Sequence, residues 1–199
     1  MRIIIVSGFL GSGKTTFLSQ AFTYFYQKDV TCSFIVNEVG EVGVDTRFFR
    51  KSGCPMKEIL GGCLCCSSAS EFERALEELR DRYNPDCVLI EPSGIANPIQ
   101  IQETLARKKK KEDAILTIAI LDGERIDLVL EAVYPMTVDT AKSADTILIS
   151  KTDVARPEEI EKAISFAGGA NPEAALFRVN LTTHLAPSLL EEIFRCKKI

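Results

Sequence analysis

The chain has 199 residues, of which 46% are hydrophobic and 26% charged, and its formal net charge is −4. A chain of this size and composition is typical of one globular domain with a sizeable core, and its negative charge disfavours a nucleic-acid partner. Neither a secretory leader nor an apolar run of membrane-spanning length is recognisable. We therefore expect a cytoplasmic protein whose seven cysteines are reduced thiols, metal ligands or redox groups.

Short runs rich in isoleucine and valine predict strands at residues 2–7, 32–37, 87–92, 114–122 and 145–150. These runs largely lack alternation of apolar and polar residues, which is typical of strands buried on both faces of a parallel sheet. Helical spacing predicts helices at Thr15–Gln27, Ser68–Tyr83, Pro157–Ala167 and Ala186–Cys196. Strands that alternate with helices form βαβ units, so we predict an α/β fold of three layers, with a mainly parallel central sheet flanked by helices.

The first predicted strand leads into GFLGSGKT, residues 8–15, which matches the pattern G-x-x-x-x-G-K-[ST] of a phosphate-binding loop (P-loop). Its glycines let backbone N–H groups point at phosphate oxygens, at the N-terminus of a helix whose dipole favours anions. We expect Lys14 to reach the β- and γ-phosphates and Thr15 to place its hydroxyl on Mg²⁺. The α/β fold is therefore expected to be that of the P-loop NTPases.

SKTD, residues 150–153, follows the strand predicted at 145–150, where a loop that reads the base belongs. Asp153 can accept hydrogen bonds from both N1–H and the exocyclic amine of guanine, which adenine does not offer, and the stem of Lys151 can lie over the base. GTPases usually have N-K-x-D here, and the shorter Ser150 in place of asparagine weakens the expected contact to the base edge. We expect GTP, the alternative being an ordinary lysine and aspartate at a strand end.

An acidic, glycine-containing segment, NEVGEVGVD, follows the second predicted strand at residues 37–45. In a P-loop NTPase, the loop in this region can sense Mg²⁺ and the γ-phosphate. Glu38, Glu41 and Asp45 are the candidate residues. The alternative is an acidic surface loop.

The segment EPSGIANP, residues 91–98, ends the third predicted strand. Because the carboxyl ends of parallel strands face the ligand crevice, Glu91 is expected to bind Mg²⁺ through water or to orient the attacking water. Gly94 is expected to approach the γ-phosphate. A helix-capping role for residues 93–97 is compatible with these assignments.

Three cysteines, Cys63, Cys65 and Cys66, lie within four positions. This spacing is too tight for a zinc finger, so a closed four-thiolate site would need Cys54 or Cys32. Thiolates suit Zn²⁺, Cu(I), iron, Co²⁺ and Ni²⁺, and an incomplete set of protein ligands is what a site needs if it must release its metal. The alternative is that these cysteines are buried or redox-idle.

In this order along the chain, GFLGSGKTT, NEVGEVGVD, GGCLCC, EPSGIANP, SKTD and NPEAALFRVN resemble the CobW family of P-loop GTPases. That family belongs to a class of metal-handling GTPases that includes HypB and UreG. The resemblance implies a GTPase that binds GTP or GDP with Mg²⁺ and carries a transition metal, Zn²⁺ first, with Co²⁺, Ni²⁺ or iron as the others. Because no arginine finger is evident, we expect hydrolysis to be slow. Many members carry a second, C-terminal domain; this sequence departs from them, and because it shows no domain boundary we expect a single GTPase domain over residues 1–199.

The resemblance also implies partners and site residues. The partner would be a client metalloprotein or a cofactor-synthesis enzyme, with a nucleotide-dependent homodimer possible and neither nucleic acid nor membrane involved. Nucleotide contacts are implied for Gly8, Gly11, Ser12, Gly13, Lys14, Thr15, Thr16, Gly94, Ser150, Lys151, Asp153 and Asn180. Metal ligands, for Mg²⁺ or the transition metal, are implied at Thr15, Glu38, Glu41, Cys63, Cys65, Cys66 and Glu91. Catalytic roles are implied for Lys14, Glu41 and Glu91.

Two other functions share a P-loop. A small-molecule kinase would need a basic lid, for which the lysine-rich run at residues 107–111 could supply charge. A nucleotide-dependent scaffold would use the cysteines to hold structural zinc, whose removal would unfold the protein.

Overall fold

The structure is a computed structural model, and it describes residues 1–36, 53–58, 68–94, 97–108 and 110–195. The strands within these ranges are β1 Arg2–Gly8, β2 Cys32–Val36, β3 Met56–Glu58, β4 Cys87–Glu91, β5 Ala114–Asp122, β6 Thr146–Ser150 and β7 Ala175–Arg178. The helices are α1 Lys14–Tyr26, α2 Ser68–Tyr83, α3 Pro98–Lys108, α4 Ile126–Lys142, α5 Pro157–Ala170 and α6 Pro187–Arg195.

The strands form one sheet in the order β3-β2-β4-β1-β5-β6-β7, and each neighbouring pair is parallel. One face of the sheet packs on α1 and α6, and the opposite face packs on α2, α3, α4 and α5. This arrangement confirms the predicted α/β fold, with a parallel central sheet flanked by helices.

The central strand β1 shows why the apolar runs lack alternation. Ile4 and Val6 point into the layer formed by α1, whereas Ile3 and Ile5 point into the layer formed by α2 and α3. All four side chains are fully buried. Both faces of the strand therefore require apolar residues.

Several elements were not predicted from the sequence. Strand β3 has only three residues and lies at the edge of the sheet, and β7, at the other edge, is only partly buried. Helix α4 contains Pro135 and is bent at Val133, whose φ of −141° is not helical. Short edge strands and a proline within a helix both give weak sequence signals. None of the described helices is long and apolar enough to cross a membrane.

The position of β1 in the sheet determines where a site can form. Strand β1 lies between β4 and β5, so the carboxyl ends of three central strands lie side by side. These ends are Gly8, Glu91 and Asp122. In parallel sheets with helices on both faces, ligands bind in the crevice outside such strand ends.

Candidate nucleotide site

The P-loop joins β1 to α1 and has the backbone conformation of an anion-binding turn. Its glycines Gly8, Gly11 and Gly13 have φ values of 149°, 73° and 105°. The N–H of Ser12 donates to the carbonyl of Phe9 at 3.1 Å, which closes the turn. In this loop, glycines with positive φ alternate with residues that have negative φ. This alternation directs successive backbone N–H groups into one concave surface.

Helix α1 begins at Lys14, directly after this turn. Among the described residues, no side chain caps its N-terminus and no acidic residue lies in its first turn. The N-terminal N–H groups and the positive end of the helix dipole therefore face the crevice, and the helix supplies no acidic residue of its own to pair with them. The Lys14 side chain is buried, and its Nζ lies 3.4 Å from the carbonyl oxygen of Phe9 within the loop. This end of the helix can accept a phosphate.

Two residues predicted as Mg²⁺ ligands meet beneath the loop. The hydroxyl of Thr15, in the first turn of α1, donates a hydrogen bond of 2.9 Å to Oε1 of Glu91 at the end of β4. Glu91 is buried, with 7% of its surface exposed. A buried carboxylate requires nearby positive charge or hydrogen-bond donors, and oxygen ligands of these two kinds are those that Mg²⁺ prefers.

The segment after β4 lies directly on the P-loop at Gly94. A Cβ atom added to Gly94 would lie 2.9 Å from the backbone nitrogen of Leu10 and 3.3 Å from its Cα. Only glycine allows the two backbones to approach so closely. Asn97 follows, and its Oδ1 accepts a hydrogen bond from the N–H of Ile99 at 2.9 Å, so it caps α3 as the sequence suggested.

Ser150 points toward the P-loop rather than outward to the crevice. It is fully buried, and its hydroxyl lies 2.8 Å from the carbonyl oxygen of Ser12 and 3.2 Å from that of Leu121. The serine that replaces the usual asparagine therefore connects the end of β6 to the phosphate loop.

In the rest of the predicted base-reading segment, Lys151 contacts a buried carboxylate. Lys151 has a positive φ of 59°, and its Nζ lies 2.9 Å from Oδ2 of Asp122 and 3.1 Å from Oε2 of Glu124. Burial lowers the pKa of Lys151, but its hydrogen bonds to the two carboxylates outweigh burial and raise that pKa above the ordinary value. Asp153 is exposed in the turn that follows β6. Lys151 therefore stays charged at physiological pH.

The loop after β7 is attached to α1 beside the P-loop. The side chain of Asn180 accepts hydrogen bonds from the N–H and the hydroxyl of Thr182, at 2.8 and 2.6 Å. Gln20 of α1 donates to the carbonyls of Leu181 and Thr183, at 3.1 and 3.0 Å. A Cβ on Gly13 would lie 2.7 Å from Leu181, so this loop borders the phosphate site. Gln20 was not predicted as a site residue, since a polar residue within a helix gives no distinctive signal.

Asp122 and Arg125 were also missed. The Asp122 side chain is fully buried, and besides Lys151 it accepts hydrogen bonds from Nε of Arg125 at 2.7 Å and from its backbone N–H at 3.2 Å. Asp122 ends the strand predicted at 114–122, so the rule that identified Glu91 would also have identified it.

Some predicted residues lie outside the described ranges, namely Glu38, Glu41, Asp45, Cys63, Cys65 and Cys66. Among the described cysteines, Cys32 and Cys87 are neighbours across β2 and β4, and Sγ of Cys54 lies 2.9 Å from the carbonyl oxygen of Cys32. Burial and the neighbouring Cys32 raise the pKa of the Cys54 thiol to about 12. Within the described part of the chain, no group of three or more histidine, cysteine or acidic residues is arranged to hold a metal ion.

A P-loop at the end of a central parallel strand, followed by a threonine bonded to a buried carboxylate, defines the class of P-loop nucleotide-binding domains. Residues 2–178 match the family model described as CobW/HypB/UreG, nucleotide-binding domain. The chain therefore belongs to this family, as its motifs suggested.

Relatives and solved structures agree with this assignment. The chain is 35% identical over 159 residues to the zinc chaperone YeiR of Escherichia coli, covering 79% of this chain and 48% of that protein. It is 32% identical over 189 residues to the zinc chaperone YjiA of the same organism, covering 90% of this chain and 57% of that protein. The crystal structure of the hydrogenase maturation factor HypB from Archaeoglobus fulgidus has a TM-score of 0.72 at 20% identity, covering 98% of this chain and 89% of that one, and shows the same fold. The chain thus spans about half the length of these two curated relatives.

Proposed function

We propose that this domain binds and slowly hydrolyses GTP, and that it uses the nucleotide cycle to carry a transition metal, Zn²⁺ in the first instance, to a client. The observation that carries the nucleotide part is the hydrogen bond between Thr15 and Glu91 beneath the P-loop. It joins the two oxygen ligands expected of a magnesium nucleotide site. The proposal treats residues 1–199 as one GTPase domain.

The nucleotide chemistry follows from the charges around the loop. Bound Mg²⁺ would supply positive charge that neutralises the β- and γ-phosphate oxygens. Thr15 and Glu91 would hold it, the carboxylate directly or through water. Lys14 would contribute a fixed positive charge at the phosphates, and the backbone N–H groups of the loop would orient them. With no arginine supplied by a partner, we expect slow hydrolysis.

Guanine selection is assigned to Asp153 and Lys151. Asp153 is exposed and accessible to a base, and Lys151 is oriented by its contacts to Asp122 and Glu124. Asn180 would border the base from the following loop. Titrating the protein with GDP and, separately, with ADP under the same conditions tests the assignment. Equal affinities for the two nucleotides would contradict it.

The metal is assigned to Cys63, Cys65 and Cys66, with Glu38 and Glu41 in the loop that responds to the γ-phosphate. Two independent points support this assignment: the relatives are named zinc chaperones, and thiolates are the ligands that Zn²⁺ and Co²⁺ prefer among the side chains of this chain. The high pKa of Cys54 disfavours its use as a thiolate in the same site.

The central test is a Co²⁺ titration of the reduced protein with Mg²⁺ and either a non-hydrolysable GTP analogue or GDP, followed by thiolate-to-Co²⁺ absorption. Coupling requires tighter Co²⁺ binding in the GTP form, by at least about fivefold, and a matching effect of Co²⁺ on GTP affinity. The double variant Cys65→Ser/Cys66→Ser should abolish the absorption. The matched control Cys54→Ser should retain it.

Other outcomes would favour the other functions. Equal Co²⁺ affinity in both nucleotide states would contradict a nucleotide-driven carrier. Zinc that stays bound in both states and whose removal unfolds the protein would indicate a scaffold. A phosphorylated acceptor formed from ATP would indicate a kinase. Client delivery is tested by zinc transfer to an apo-metalloprotein as bound GTP is hydrolysed, and the non-hydrolysable analogue should prevent the transfer. Homodimer formation is tested by light scattering in each nucleotide state.

A further inference from the structure

Arg125, the N-cap residue of α4, contacts the backbone of the P-loop. Its Nη2 lies 2.9 Å from the carbonyl oxygen of Leu10. A Cβ atom built on Gly11 would lie 3.0 Å from the same nitrogen, so the guanidinium lies against the peptide that joins these two residues. The edge of the guanidinium formed by Nε and Nη2 also faces Asp122, with Nε 2.7 Å and Nη2 2.5 Å from Oδ2. One side chain therefore joins a fixed carboxylate to the phosphate loop.

The geometry of a peptide unit gives this contact a consequence on the other side of the loop. In a trans peptide, the C=O of one residue and the N–H of the next point in opposite directions. The described part of the chain contains no cis peptide. Because the carbonyl of Leu10 points toward Arg125, the N–H of Gly11 points away from Arg125, which is the orientation needed if this N–H is one of those that hold phosphate oxygens in a P-loop.

Asp122 anchors Arg125, and Lys151 also holds Asp122 in place. The Asp122 side chain is fully buried, and its Oδ2 also accepts from Lys151 at 2.9 Å. Arg125 is one-third exposed, so it can be replaced without opening the core. The planar guanidinium can bond a carboxylate and a carbonyl at the same time, which a lysine ammonium does less well.

We propose that Arg125 is a positioning residue for the nucleotide phosphates. It holds the Leu10–Gly11 peptide with the Gly11 N–H turned into the phosphate cradle, and Asp122 holds Arg125. The inference rests on the proposed nucleotide-binding function, and it concerns the diphosphate part of the ligand, not the base.

Two affinity ratios, measured by calorimetry with Mg²⁺, test this role. The ratio of GDP to GMP affinity reports the contacts of the β-phosphate, and the ratio of GDP to ADP affinity reports recognition of the base. Arg125→Ala should lower the GDP-to-GMP ratio about tenfold to a hundredfold, the effect of losing one oriented hydrogen bond to a charged group, and leave the GDP-to-ADP ratio within about twofold. Arg125→Lys should give a smaller loss in the same direction.

A matched control and a direct probe complete the experiment. Arg195→Ala removes an exposed arginine of α6 that is paired with Glu191, and it should change neither ratio. In the ¹H–¹⁵N spectrum of the GDP complex, the Gly11 amide proton should lie at low field in the wild type and move upfield in Arg125→Ala. A purely structural role would move this resonance equally in the free protein and in the GDP complex.

The possible results separate the two proposals. A wild type that binds GDP, together with an unchanged GDP-to-GMP ratio in Arg125→Ala, would overturn the positioning role and leave the proposed function standing. A fall in the GDP-to-ADP ratio alone would also overturn it, since Arg125 would then act through Asp122 and Lys151 on the base. A wild type with no measurable GDP affinity would overturn both proposals.

Discussion

The substitution Gly94→Ala tests the contact between the segment after β4 and the P-loop. The added Cβ would lie 2.9 Å from the backbone nitrogen of Leu10, whereas ordinary contacts of Cβ begin at 3.4 Å. The two backbones must therefore separate by about 0.5 Å, because neither contacting atom belongs to a flexible side chain. Overpacking of this kind costs about 1–3 kcal/mol in the free energy of unfolding, which for a chain of this length lowers Tm by roughly 2–12 °C.

The same displacement should reduce hydrolysis more than binding. Glu91 lies three residues before Gly94 and is bonded to Thr15 at 2.9 Å. A misplacement of about 1 Å in a catalytic group can cost about a hundredfold in rate, so half that distance predicts a loss of about tenfold in kcat for GTP. GDP affinity should change less, since GDP has no γ-phosphate and is affected only through the P-loop backbone at Leu10.

The matched control is Gly169→Ala. Gly169 lies within α5, and a Cβ there would meet nothing within 4 Å. Replacing an unconstrained helical glycine by alanine should stabilise the protein by about 0.5–1 kcal/mol and leave hydrolysis unchanged. Thermal unfolding by calorimetry and a phosphate-release assay measure both variants. If Gly94→Ala matched the wild type in Tm and in rate, the close approach inferred at Leu10 would be wrong.

Three further substitutions or treatments give separate expectations. Glu91→Gln keeps a hydrogen-bonding partner for Thr15 but removes the charge, so Mg²⁺ should bind the nucleotide complex about tenfold more weakly, and an unchanged Mg²⁺ titration would exclude Glu91 as a ligand. Ser150→Ala removes the hydrogen bond to the Ser12 carbonyl. The free energy of unfolding should fall by about 1–2 kcal/mol, Tm and GDP affinity should fall with it, and the ratio of GDP to ADP affinity should stay constant. A fall in that ratio would instead place Ser150 at the base. The pKa of Cys54, raised from 9.0 to about 12, predicts that iodoacetamide labels it far more slowly at pH 8 in the native protein than in urea. Because that pKa is higher in the folded state, the stability that it contributes is complete below pH 9.0 and is lost as the pH rises toward about 12. Mass spectrometry of the labelled peptide measures the rates, and equal rates would contradict the burial of this thiol.

The sequence predicted the parts of the site that are local in the chain. The P-loop motif combines a strand end, glycines and a helix start within eight residues, so Lys14 and Thr15 could be assigned roles from the pattern alone. Glu91 was predicted as a site residue because ligands bind at the carboxyl ends of parallel strands. The structure places it against Thr15, 76 residues away, and the pattern could not supply that distance.

The parts that depend on tertiary pairing were missed or interpreted differently. Ser150 was interpreted as a weakened contact to the base, but it is directed to Ser12 because the ends of β5 and β6 are paired at Asp122 and Ser150. Arg125 has no motif, and its position depends on the same pairing. Edge strands such as β3 and β7 are short, and partly buried edges carry little apolar signal.

The burial of β1 on both faces has a consequence for folding. Since Ile3 and Ile5 on one face resemble Ile4 and Val6 on the other, a shift of this strand by one residue would still bury apolar side chains, and hydrophobic patterning alone does not fix its alignment. Gly8 fixes the alignment of β1, because it pairs with Ile120 at a point where a Cβ would lie 2.5 Å from the carbonyl oxygen of Ile120. After a one-residue slip, Ser7 or Phe9 would occupy this point, and both carry a Cβ atom. The first glycine of the phosphate loop thus also sets the register of the central strand, so its replacement should produce misaligned, aggregation-prone chains as well as a weakened nucleotide site.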